Sequence, residues 1–114
     1  ERATILQDMR KRGVKFVSGI DSGMLYVRFG DIAYTPERMV DVIGMGNMEA
    51  IVACTKTSAE CLGVDEETGT IDKGKSADII VVDGNPNDDI KALHNISTVM
   101  LRGNIVKEDG KELI

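Results

Sequence analysis

Near the start of the chain, apolar positions recur at helical spacing. Ile5, Leu6 and Met9 stand among charged residues between Ala3 and Lys11, and Gly13 follows where a left-handed residue ends a helix. Val14 to Ile20 then carries β-branched and aromatic residues on both parities, Val14 and Phe16 against Val17. That pattern predicts a parallel strand covered on both faces, running into Asp21-Ser22-Gly23. Met24 to Tyr34 has no clean period and reads as a loop. Thr35 is expected to cap a helix with Pro36 at its first position and Pro36, Met39, Val40 and Ile43 on one face, stopped by Gly44-Met45-Gly46. Asn47 is expected to cap the next helix, which carries Met48, Ile51, Val52 and Thr55. Thr57-Ser58-Ala59-Glu60 has the form of a capping box for a further short turn closed by Gly63.

Beyond Gly63 the spacing changes from helical to strand-like, which places an internal boundary in residues 63–70 and divides the chain into 1–63 and 64–114. Ile79 to Val82 is a continuous β-branched run ending at the turn formers Asp83-Gly84-Asn85-Pro86. Asp88 to Leu93 fits one helical turn. Val99 to Arg102 and Ile105 to Lys107 read as two strands joined by a Gly103-Asn104 hairpin turn.

A chain of 114 residues fits one domain of the usual size of about 100 to 150 residues. Its formal charge of −5 and scattered Lys and Arg oppose phosphate-backbone binding, so nucleic acid is not an expected partner. No stretch approaches the roughly 20 unbroken apolar residues of a membrane span. Cys54 and Cys61 lack the close pairing of zinc or redox motifs and read as buried, reduced thiols of a cytoplasmic protein. The N-terminus shows no secretory pattern, and the start at Glu1 rather than Met fits a processed product, a recombinant segment or a fragment.

Chemistry concentrates on Asp21, a carboxylate at the tip of the strand predicted to be buried, where the loops of α/β folds gather catalytic groups. The same Asp-Ser-Gly run is also a common turn. His94, the only histidine, lacks a partner motif and reads as structural, or as supporting a metal site from behind its ligands, rather than as a metal ligand. Tyr26, Arg28, Phe29 and Tyr34 could line a substrate pocket, Arg28 meeting a carboxylate, or simply pack as a loop. Asp78 is expected to accept backbone N–H bonds where it enters its strand.

Gly13 to Gly23, with Ser18-Gly19-Ile20-Asp21, resembles the last barrel strand of the amidohydrolase superfamily. Gly69-Thr70-Ile71-Asp72-Lys73-Gly74-Lys75-Ser76-Ala77-Asp78 to Asp83 resembles the segment that opens that superfamily's C-terminal return to a small β-sandwich. Met48 to Thr55 and Ser58 to Gly63 resemble its last barrel helix and the turn after it, and Val99 to Lys107 its final hairpin. The nearest group is imidazolonepropionase- or prolidase-like.

The resemblance implies an α/β fragment: the last strand and helices of a TIM-type barrel, followed by C-terminal strands of a small β-sandwich. It also implies hydrolysis of C–N bonds in a small-molecule substrate of amide, cyclic amide or dipeptide-like type. Asp21 would be a ligand to a divalent cation, zinc being the commonest choice, and would take a proton from the water that the cation binds. Arg28 and Tyr26 are the candidate substrate-binding residues. Ile20 departs from the family's usual Thr or Ser, and the family's His-x-His pair and further histidines have no counterpart here. A complete barrel takes about 250 residues. The expectation is therefore a fragment inactive alone, with uncovered sheet edges that make it self-associate or swap elements. The rival reading is a small non-enzymatic binding or scaffold module built from the same segment.

Overall fold

A computed structural model describes residues 1–23 and 25–113; Met24, inside the segment read as a loop, and Ile114 lie outside the described residues. Helices come first and an antiparallel sheet follows. Helix α1 spans Arg2–Lys11 and ends ahead of Gly13, whose φ of 85° is the left-handed stop expected there. It leans on the following helices through Gln7, whose Nε2 donates to the Val42 carbonyl at 3.0 Å. A two-pronged pair joins the Arg10 guanidinium to the Glu49 carboxylate at 2.8 and 2.6 Å.

Helix α2, Tyr34–Arg38, grows directly out of a 3₁₀ turn at Asp31–Ala33. Helical backbone thus arrives before Thr35, which is interior and caps nothing, contrary to its expected role. The helix continues as a π turn, Met39–Ile43, and Gly44 closes it at φ 78°. Helix α3, Asn47–Val52, is preceded by Gly46, whose N–H donates to Glu49 Oε2 at 3.2 Å, while the Asn47 side chain instead reaches the Asn87 carbonyl at 2.8 Å.

The expected break at Thr57 is absent. Helix α3 passes through a π turn, Ala53–Thr57, straight into α4, Ser58–Leu62. Across the wide turn the Ser58 hydroxyl donates to the Ala53 carbonyl over 2.7 Å. The expected Thr57 cap is not formed. Gly63 ends the run at φ 70°.

The sheet is a meander in the order β1-β2-β3-β4 with every pair antiparallel. Strand β1 is Ile79–Val82, β2 Ile96–Leu101, β3 Asn104–Glu108 and β4 Lys111–Glu112. Leu101 pairs with Asn104, so the β2–β3 turn is Arg102-Gly103, one residue earlier than the sequence suggested. Both turn residues have positive φ, 49° and 81°, the type I′ geometry that matches strand twist. Ile90–His94, a 3₁₀ turn between β1 and β2, occupies the place expected for a single helical turn.

The core is small. Met39, Ile43, Met45, Ala50, Ala53 and Ile90 form its buried centre, with Leu6, Phe16, Ile51 and Leu93 packed around it. Ile90 brings the sheet-forming half onto the helices. No large side chain is fully buried among the described residues, while Leu25, Phe29, Leu62 and Ile71 are left largely exposed. Residues 14–20, expected as a strand, have no ladder partner among the described residues. A parallel strand covered on both sides needs neighbours, and all the strands described here belong to the antiparallel meander. Among the described residues no helix is long and apolar enough to cross a membrane. Both cysteines are free, and Cys61 is exposed, against the expectation that both thiols are buried; burial raises the Cys54 thiol pKa.

Candidate functional site

Residues 14–20 are moored along their length, beginning with the Val14 N–H, which donates to the Met9 carbonyl at 3.1 Å. Phe16 packs on the core, and the Ser18 N–H donates to Ser58 Oγ at 3.0 Å, so the hydroxyl that bridges the π turn also holds the segment leading to Asp21. Asp21 has φ 54°, a left-handed conformation that Asp tolerates better than most residues, and its side chain is exposed. It makes no hydrogen bond or ion pair among the described residues.

The loop beyond folds back on itself. Gly23 N–H donates to the Val27 carbonyl at 3.0 Å, and the Arg28 N–H donates to Asp31 Oδ2 at 2.8 Å. An open groove of about 550 Å³ results, lined by Ile20, Tyr26, Val27, Arg28, Asp31 and Tyr34. Tyr26 and Arg28 thus both line one groove, of which Phe29 is not part. Asp21 is not in the lining but follows Ile20, which is. Asp31, which orients the Arg28 backbone, was not legible as a groove residue.

His94 lies elsewhere, and its partner was missed. Its Nε2 is 2.8 Å from Oε2 of Glu37, a residue 57 positions away and 7% exposed. Glu37 Oε1 accepts from the Arg38 guanidinium at 3.2 Å. The hydrogen bond from His94 holds the Glu37 pKa below its ordinary value, against the opposing effect of burial and helped by the charges of Arg38 and Lys91. An ionised carboxylate only accepts, so Nε2 carries a proton in either charge state of the ring. No sequence rule links a lone His to a Glu beside an apolar helix face.

The described residues do not fit a divalent cation by themselves. No group of three His, Cys, Asp or Glu side chains converges among them, and the one histidine is committed to Glu37. Asp78, read as structural, accepts the Arg102 N–H at 2.8 Å and the Thr68 hydroxyl at 3.1 Å, which ties the entry of β1 to the β2–β3 turn.

The model of the Amidohydrolase family matches residues 1–106. This chain belongs to the amidohydrolase family. Imidazolonepropionase of Thermoplasma volcanium is 32% identical over 89 residues, which are 70% of this chain and 22% of that protein. A Bifidobacterium longum protein provisionally named a prolidase has a crystal structure that superposes with a TM-score of 0.89 at 33% identity, covering 98% of this chain and 28% of the other. A Xaa-Pro dipeptidase solved with methionine in its active site gives a TM-score of 0.81 at 32% identity over 92% of this chain and 25% of its own. Both groups suggested by the sequence, imidazolonepropionases and prolidases, are therefore represented. The chain spans about a quarter of the length of these relatives.

Proposed function

We propose that this chain works as the closing portion of a hydrolase acting on carbon–nitrogen bonds, to which it contributes one reacting carboxylate, Asp21. The observation that carries this is the position of Asp21, exposed and one residue past Ile20, beside a groove walled by Tyr26 and Arg28. Membership of the amidohydrolase family supports the reaction class. In this reading Asp21 accepts the proton of the attacking nucleophile, Arg28 meets a carboxylate or carbonyl of the substrate, and the Tyr26 ring covers its apolar part.

Metal ligands, if the complete hydrolase holds a divalent cation such as zinc, come mostly from outside residues 1–114, since no three donor side chains converge among the described residues and the histidine is already engaged. Residues 14–20, which have no ladder partner among the described residues, and the exposed apolar side chains support a role beside further structure rather than alone. The replacement Asp21→Asn in the complete hydrolase is the test: turnover is lost while the fold is kept.

A further inference from the structure

Tyr34 opens helix α2 and Glu37 follows one turn later, so both present side chains on one face of the helix. The His94 ring spans the two. Its Nε2 bonds Glu37 at 2.8 Å, and its ring meets the Tyr34 ring edge to face, with centroids 4.6 Å apart at 67°. The imidazole does not move freely, because it ends a 3₁₀ turn anchored in the core by Ile90, 4% exposed, and capped by Asp89, which accepts the Lys91 N–H at 3.0 Å. Glu37 is itself fixed between His94 and Arg38. Tyr34, by contrast, is half exposed and forms part of the groove wall with Tyr26 and Arg28.

We propose that His94 is a positioning residue: locked by Glu37, its ring sets the orientation of Tyr34 and so the shape of the groove wall facing the substrate. The substrate part rests on the groove being the one proposed above. The coupling between His94 and Tyr34 does not. It runs from the sheet-forming half of the chain, through a buried carboxylate, to the loop half, and gives the lone histidine a role other than metal ligation.

With fluorotyrosine placed at position 34 of the complete hydrolase, its fluorine NMR resonance reads Tyr34 alone. His94→Gln keeps a donor toward Glu37 but removes the ring, and is expected to shift that resonance toward its position in the unfolded protein with the far-ultraviolet circular dichroism unchanged. Glu37→Leu, which leaves the imidazole without its acceptor, is expected to shift it in the same direction. His94→Phe, which restores a ring, returns part of the shift. A resonance unchanged in His94→Gln overturns the proposal. Should the variants fail to fold, the unaltered hydrolase still decides, because cross-relaxation between the labelled Tyr34 ring and the ring protons of His94 is expected and its absence overturns the proposal. None of these readouts needs turnover. A failed hydrolase assignment would leave them standing, and their failure would leave that assignment intact.

Discussion

The backbone of Gly69 lies directly on Ala59: a Cβ at Gly69 would stand 2.5 Å from the Ala59 Cβ and 3.3 Å from the Thr55 carbonyl oxygen. At φ 95° the position also disfavours any side chain. The strand-forming half is thereby pressed onto α4 and the π turn before it. Gly69→Ala is strained on both counts and is expected to cost about 3 kcal/mol, combining overpacking with a left-handed non-glycine residue. Urea denaturation checks this, and an unchanged midpoint would mean that the two backbones do not meet this closely in solution.

That contact marks the division between what the sequence revealed and what it hid. The run from Gly69 to Asp83 was recognisable, and Ile79 to Val82 is a strand, because β-branched residues between turn formers have few alternatives. The reason for Gly69 was not legible, since it depends on Ala59 arriving from a helix. The hairpin turn falls one residue earlier than expected: Gly103-Asn104 looks like a better turn than Arg102-Gly103, whereas the pairing of Leu101 with Asn104 decides otherwise. The expected cap at Thr57 is not formed, because the helix runs through it; its neighbour Ser58 instead donates to the Ala53 carbonyl across a π turn. Tyr26 and Arg28 were singled out from their residue types alone, whereas the Glu37–His94 pair joins distant residues without local pattern.

Stability falls in acid through identifiable groups. The hydrogen bond from His94 lowers the Glu37 pKa, that from the Arg10 side chain lowers Glu49, and that from the Arg102 backbone lowers Asp78. A carboxylate depressed in the folded chain binds protons more weakly there than in the unfolded chain. Its contribution is therefore complete above the unfolded pKa and is lost as pH falls through the folded one. Urea midpoints should hold near neutrality and decline from the ordinary carboxylate range downward. Glu37→Gln should make that decline shallower, and a decline of the same steepness would remove Glu37 from the account.

Lys75 is a clip within the Gly69 to Asp83 segment. Its Nζ donates to the Asp65 carbonyl and to Thr70 Oγ1, the latter at 2.7 Å, with Asp72 Oδ2 at 3.8 Å. Lys75→Met is expected to lower stability by roughly 1–2 kcal/mol, the scale of losing such bonds at a partly buried site. Lys75→Arg should not restore it, because a planar fork cannot reproduce a point donor aimed at two oxygens. Thermal unfolding of the three proteins separates these outcomes.

Isolated residues 1–114 are expected to self-associate. Leu25 and Phe29 are 85% and 84% exposed, Leu62 and Ile71 nearly as much, and β1 has one unpaired edge among the described residues. Size-exclusion chromatography should show mass rising with concentration. A monomer at every concentration would indicate that these surfaces are stable in water.

Asp21 tests the central claim most directly. It is exposed, already left-handed and free of hydrogen bonds among the described residues, so Asn should be accommodated there with the unfolding midpoint little changed. The measurement is kcat/KM for hydrolysis of a carbon–nitrogen substrate by the complete hydrolase, with and without Asp21→Asn. Loss of the reacting carboxylate predicts a fall of about 10²–10⁴-fold. A variant that keeps its fold and hydrolyses at the unaltered rate would contradict the assignment of Asp21 as the proton acceptor.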